Sequence, residues 1–153
     1  RELGQSGTDA ETKDGMDMSL IRVNTTDNTL EFSGAQNSIW IIRNSEIIEL
    51  KADKQPVAFQ PYQTPFTNHT IELKKKDVVY LFTDGYADQF GGPDIYGRPA
   101  GGKKFKYKRL REMLSNSAHI EIPVQKELIE RTFYEWKGDY EQIDDVTLIG
   151  IKI

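Results

Sequence analysis

Short apolar runs punctuated by turn chemistry fill the first half of the chain, a pattern that suits antiparallel sheet. The runs are Met18–Val23, Thr29–Ser33, Ile39–Arg43, Glu46–Leu50, His69–Leu73 and Val78–Phe82. Each is too short for an independent helix and rich in β-branched or aromatic residues, so each is predicted to be a strand. "NTTDN" between the first two runs and Asn44-Ser45 between the third and fourth read as hairpin connections. "KADKQPVAFQPYQTP" after Leu50 carries Pro56, Pro61 and Pro65 and reads as a long irregular crossing.

Beyond Phe82 the period changes. "GGPDIYGRPAGG" (Gly91 to Gly102) is predicted to be a mobile loop. Tyr107, Leu110, Met113 and Leu114 then share one helical face, as do Val124, Leu128, Ile129, Phe133 and Trp136. Pro123 suits the first turn of the second helix, and Gly138 its end. "DDVTLIGIKI" closes the chain as a buried strand. Strands, then two helices, then a strand is an α+β order. At 153 residues and 37% hydrophobic content the chain is expected to form a single domain over 1–153, with 1–15 a loop or frayed end.

Composition excludes several roles. Twenty Lys and Arg against 24 Asp and Glu give a net charge of -4, which argues against general nucleic-acid binding. No cysteine is present, so disulfides, zinc-thiolate sites and thiol nucleophiles are ruled out. No apolar stretch approaches the ~20 residues that span a bilayer, and no secretory leader is visible, so a cytoplasmic setting without membrane contact is expected. Asn24-Thr25-Thr26 and Asn68-His69-Thr70 match the glycosylation acceptor pattern only by chance on that reading.

The carboxylates carry the chemistry. Asp84 ends "VVYLF", and Asp144-Asp145 precede "VTLIGIKI". If those strands are antiparallel neighbours, the acids meet at one rim of a sheet, where like charges are costly without a cation. Hard oxygen ligands from separated positions suit Mg²⁺ or Mn²⁺. Spacing alone leaves a second reading open, in which Asp84-Gly85 and Asp144-Asp145 are turn residues. Asp14 in "KDGMD" is a weaker candidate of the same kind. His69 reads as a strand-surface residue and His119 as an interhelical loop residue. No G-x-S-x-G elbow, Walker loop or dinucleotide-binding glycine pattern occurs. "KKFKYKR" (Lys103 to Arg109) reads as a solvated helix face rather than a docking patch, and Lys74-Lys75-Lys76 as turn and edge protection.

In order, "DGMDMSLIRVN", "LEFSGAQNSIWIIRNSEIIEL", "KKKDVVYLFTDGYADQFGG", "KKFKYKRL" and "QIDDVTLIGIKI" resemble the C-terminal portion of PPM-type serine/threonine protein phosphatases. The bacterial branch of sporulation-stage-II-E and sigma-factor-regulator phosphatases is the most similar. "LFTDGYADQFGG" followed by "DDVTLIG" is the most specific part. The resemblance implies an antiparallel β-sandwich flanked by helices, with two Mn²⁺ or Mg²⁺ ions at one end. A bridging water would attack the phosphorus of phosphoserine or phosphothreonine on a regulatory protein, of the anti-anti-sigma type in this branch. Asp84 and Asp144 would be ligands of one metal. Gly85 would allow close backbone approach behind Asp84, and Asp145 would orient its neighbours.

Two departures bear on activity. The family's first Asp motif and its Asp-x-x-Gly-His-Gly motif are not found in this chain. The expectation is therefore a phosphatase domain truncated at its N-terminus, with at most one partial metal site, inactive alone and with uncovered sheet edges that favour a homodimer. Gln36 stands where many relatives have His, and "QPVAF" (Gln55 to Phe59) replaces a more usual Pro-Leu-Gly. Two alternatives remain: a non-catalytic phosphatase-like interaction module, and an unrelated β-rich ligand-binding domain without metal dependence.

Overall fold

The computed structural model describes residues 15–58, 64–92 and 102–153. Asp14 and most of the predicted 1–15 and Gly91 to Gly102 loops lie outside the described residues. The elements in order are β1 (Met18–Asn24), β2 (Thr29–Ala35), β3 (Ile39–Arg43), β4 (Glu46–Leu50), β5 (His69–Glu72), β6 (Val78–Phe82), α1 (Gly85–Asp88), β7 (Phe90–Gly91), β8 (Lys103–Lys104), α2 (Lys106–Ser117), α3 (Ile122–Lys137) and β9 (Leu148–Lys152). Every predicted strand and helix is present, in an α+β order with antiparallel sheets. The short elements α1, β7 and β8 were not foreseen, because two to four residues show no period.

The chain divides into two compact units. Residues 1–39 and 49–74 form the first, and 40–48 and 75–153 the second. The first unit is built on the antiparallel sheet β1-β2-β5. Its β1–β2 connection is held by Asn24, whose Oδ1 accepts from the Thr26 amide at 2.9 Å, and Asn28 turns the chain at φ 51°. Leu30 and Phe32 alternate on the buried face of β2. His69 stacks on Phe32 at 5.7 Å, and its Nε2 lies 3.0 Å from the Lys51 carbonyl, so it is a structural strand residue. Asp53 accepts from both the amide and the hydroxyl of Thr67, at 2.6 and 2.9 Å, and those bonds hold its carboxyl below the ordinary value.

The second unit is built on the sheet β4-β3-β6-β9. Asn44 and Ser45, at φ 50° and 66°, form the paired left-handed turn that a two-residue hairpin requires. Trp40, Ile42, Val78 and Tyr80 share the core of this unit with Tyr86, Phe105, Leu110, Leu114, Ile129 and Phe133. Tyr86 sits between Phe105 and Phe133, each centroid 5.0 Å away, and its hydroxyl donates to the Ile129 carbonyl at 2.9 Å. Burying each large apolar side chain here is worth roughly 1.5–3 kcal/mol.

Two helical faces differ from expectation. Val124 is exposed, and the buried stripe of α3 is Gln125, Ile129 and Phe133. Gln125 fits because its Nε2 donates to the Ser117 hydroxyl at 3.0 Å, so a polar residue takes a core position that hydropathy assigned to its neighbour. The basic cluster is not simply solvated either. Phe105 within it is buried, and the Arg109 guanidinium lies 4.4 Å from the Trp136 ring. No helix among the described residues is long and apolar enough to cross a membrane.

Burial pushes the Tyr80 phenol up to about 12, partly offset by Gln125, and raises the Tyr86 phenol further. A folded value above the unfolded one favours folding fully below pH ~10, and the contribution is lost as pH rises toward ~12. The urea midpoint is therefore expected to fall steeply above pH ~10, and to fall less in Tyr80→Phe, as equilibrium unfolding at stepped pH would report.

Candidate functional site

The site is assembled by one strand pair in the second unit. β6 and β9 are antiparallel, with Val78 opposite Lys152 and Phe82 opposite Leu148. The ladder continues one step, since the Thr83 amide donates to the Thr147 carbonyl at 3.0 Å. The Thr83 hydroxyl then donates to the Asp145 carbonyl at 2.8 Å and accepts from the Thr147 amide at 3.0 Å. This side chain ties the end of one strand to the start of the other. Its signal in the sequence is a threonine directly before Asp-Gly at a strand end, to which residue type alone assigns no role.

Asp84 follows directly as the residue capping α1, at φ -72° and ψ -18°. Its side chain makes no capping hydrogen bond and is exposed. The first turn instead closes through the backbone, the Asp88 amide donating to the Asp84 carbonyl at 2.9 Å. Gly85 lies against the facing strand: a Cβ there would sit 2.5 Å from the Asp145 carbonyl oxygen and 3.2 Å from Val146 Cγ2.

Asp144 and Asp145 occupy the connection into β9 and are both exposed. The Asp144 carboxylate accepts from the Asp145 amide at 2.8 Å, and its carbonyl accepts from Gln142 Nε2 at 2.9 Å. The segment after β6 that carries Asp84 therefore faces the segment before β9 as far as Asp145, and Asp144 is the next residue out. Asp88, the next acid along, pairs with Lys104 at 2.8 Å.

Aromatic side chains stand near Asp84 and Asp88. Trp40 is buried, with Phe82 at 4.4 Å and Tyr107 at 6.0 Å, and Phe82 lies 6.2 Å from Tyr107. The Arg111 guanidinium stacks 4.4 Å from the Trp40 ring. Burial raises the Tyr107 phenol, and the Asp84 and Asp88 carboxylates raise it further.

Among the described residues, no group of three or more His, Asp or Glu side chains comes together as a metal site. Two carboxylates at a rim, one with no capping role, suit a hard divalent ion that takes its remaining ligands from water and phosphate oxygens. The donor chemistry fits Mg²⁺ or Mn²⁺ in part.

No match is found among curated proteins. Among solved structures, the chain is similar to the SiaA-PP2C domain of Pseudomonas aeruginosa, at 28% identity and a TM-score of 0.79 over 90% of this chain and 51% of that one. It is also similar to the phosphatase domain of the cell fate determinant SpoIIE from Bacillus subtilis, at 12% identity and TM-score 0.62 over 90% and 56%. A third likeness is to the RsbU and RsbW domains of Rv1364c from Mycobacterium tuberculosis, at 16% identity and TM-score 0.60 over 89% and 35%. The chain thus spans about half the length of the first two. The sequence pattern of the family described as Stage II sporulation protein E (SpoIIE) matches residues 3–153, and together with the α+β order and shared fold this means that the chain belongs to the SpoIIE family of PP2C-type phosphatase domains.

Proposed function

We propose that this chain is the part of a metal-dependent serine/threonine protein phosphatase that carries Asp84 and Asp144 as carboxylate ligands. The observation that supports the reading is the antiparallel pairing of β6 with β9, because the segments carrying the two acids leave that ladder at the same end. Bound Mg²⁺ or Mn²⁺ would lower the pKa of a coordinated water and neutralise charge on a phosphoryl group. The chain's own contribution is positioning. Thr83 holds the β9 entrance through Asp145, Gly85 lets the two backbones approach, and Asp145 shapes the turn that presents Asp144. A phosphorylated regulatory protein is the proposed substrate, in keeping with the likeness to the phosphatase domain of a cell fate determinant.

In the full-length protein, Asp84→Asn is expected to weaken Mn²⁺ binding by titration calorimetry and to reduce hydrolysis of a phosphoserine peptide by at least ~10²-fold. Residues 1–153 alone are expected to be inactive. Unchanged metal affinity and turnover in the variant would sink the reading.

One rival is a phosphatase-like interaction module without chemistry. That rival requires the full-length protein to bind its phosphoprotein partner with no phosphate release at any Mn²⁺ concentration.

A further inference from the structure

Core packing accounts for only part of the Tyr107 side chain. Hydropathy places it in the core stripe of α2 with Leu110 and Leu114, and those two are fully buried while Tyr107 is 42% exposed. Its ring nonetheless has a fixed seat. It meets the buried Trp40 nearly edge-on, at an interplanar angle of 73°, and lies against Phe82, two residues before Asp84. Trp40 is in turn covered by the Arg111 guanidinium, one helical turn beyond Tyr107. The ring is thus held beside the acidic strand ends, with part of its surface left for another molecule.

The phenol suits that place. A phenol ionises only near pH ~10, and burial raises this one, so it stays protonated through neutral pH. The side chain therefore adds no negative charge near a site that must admit a phosphate dianion, and it keeps an O–H donor. A tyrosine loses little conformational entropy when its ring is already seated, and it offers an apolar face with a polar tip.

We propose that Tyr107 is a specificity-determining residue that contacts the polypeptide flanking the phosphorylated side chain, rather than the phosphoryl group itself. This rests on the reading of Asp84 and Asp144 as the phosphatase centre. The substrate class that follows is a phosphoprotein or phosphopeptide with flanking residues able to lie on an aromatic surface, in preference to a small phosphate ester.

The test uses the full-length protein with Mn²⁺ and two probes of identical chemistry: N-acetyl-phosphoserine amide and a phosphoserine nonapeptide with leucine on both sides of the modified residue. The readout is the ratio of kcat/KM for the peptide to that for the capped single residue. Tyr107→Ala and Tyr107→Leu are each expected to lower that ratio about tenfold, chiefly through the peptide's KM, as loss of one good aromatic contact implies. Tyr107→Phe is expected to stay within about threefold of wild type, since it keeps the ring. The leucine variant retains apolar cover over Trp40 and Phe82, so it guards against a folding defect in the alanine variant. An unchanged ratio in both Tyr107→Ala and Tyr107→Leu overturns the proposal while leaving the metal-site reading intact. Wild-type protein that hydrolyses neither probe overturns the metal-site reading, and this inference with it.

Discussion

Replacing Asp77 by alanine is expected to lower the unfolding free energy by about 3 kcal/mol, the low end of the range for breaking a buried ion pair. Asp77 is 1% exposed and accepts from Arg43 Nε at 3.0 Å and Nη2 at 2.7 Å, a bidentate geometry. Most surface ion pairs contribute under ~1 kcal/mol, because water screens them and long side chains lose freedom. The Arg22–Glu31 pair at 3.1 Å, with its arginine 76% exposed, belongs to that class. Asp77→Ala differs because it leaves the inner end of Arg43 without its carboxylate in a partly desolvated place. The low end applies because the Arg43 side chain keeps 20% exposure, so water can reach part of it. The pair also joins the end of β3 to the entrance of β6, where the Ile153 amide donates to the Asp77 carbonyl at 2.9 Å. Urea denaturation of Asp77→Ala and Arg43→Met separately, and then together, would check it. The double variant should lose less than the sum of the two singles.

The second large effect is expected at Gly85. An alanine Cβ would meet the Asp145 carbonyl oxygen at 2.5 Å, and that oxygen already accepts from Thr83 at 2.8 Å. The obstacle is backbone, so no side-chain rotation relieves it. Overpacking of this kind costs about 3 kcal/mol, and the better helix propensity of alanine in α1 returns about 1. A net loss near 2 kcal/mol is expected, readable by thermal or urea unfolding. On the proposed function the consequence for chemistry is larger. Separating the two strand ends by a fraction of an ångström to an ångström would reduce turnover in the full-length protein about hundredfold. Mn²⁺ affinity should fall in parallel. Gly85→Ala with wild-type stability would show that the β9 entrance yields freely, and would remove the argument that this contact holds the acids in place.

Much of the architecture was legible because its signals are local. β3 and β6 were bounded to the residue, since Arg43 and Asp77 mark where apolar runs meet charge. α3 ran from its proline to its glycine: Pro123 lies in the first turn, and the Gly138 amide closes on the Tyr134 carbonyl at 2.9 Å. The failures came where neighbours outweighed pattern. Gln125 displaced Val124 from the core because Ser117, on another helix, offers a hydrogen bond that hydropathy cannot foresee. The Arg109 and Arg111 guanidiniums stand over indoles supplied by α3 and β3, so the end of the basic cluster that read as solvated also covers an aromatic ring. At the site, residue type and strand position made Asp84 and Asp144 candidates but left a turn reading open, and the family resemblance supplied their expected role as ligands. Thr83, Lys104 and Tyr107 could not be named as site residues, since each matters through a partner distant in the chain.

By itself, then, the order of residues determined which segments are strands and helices, and which acids stand at strand ends. Those depend on side-chain periods of two and 3.6 and on turn chemistry within a few positions. Only the tertiary structure decided that β6 lies antiparallel to β9 in the register that puts Phe82 opposite Leu148. That choice follows from burying Val78 and Tyr80 with the helices, where a Cβ at Gly150 would come within 3.2 Å of the Tyr80 ring. Register between distant strands is a property of packing, because a one-residue slip turns every side chain to the opposite face.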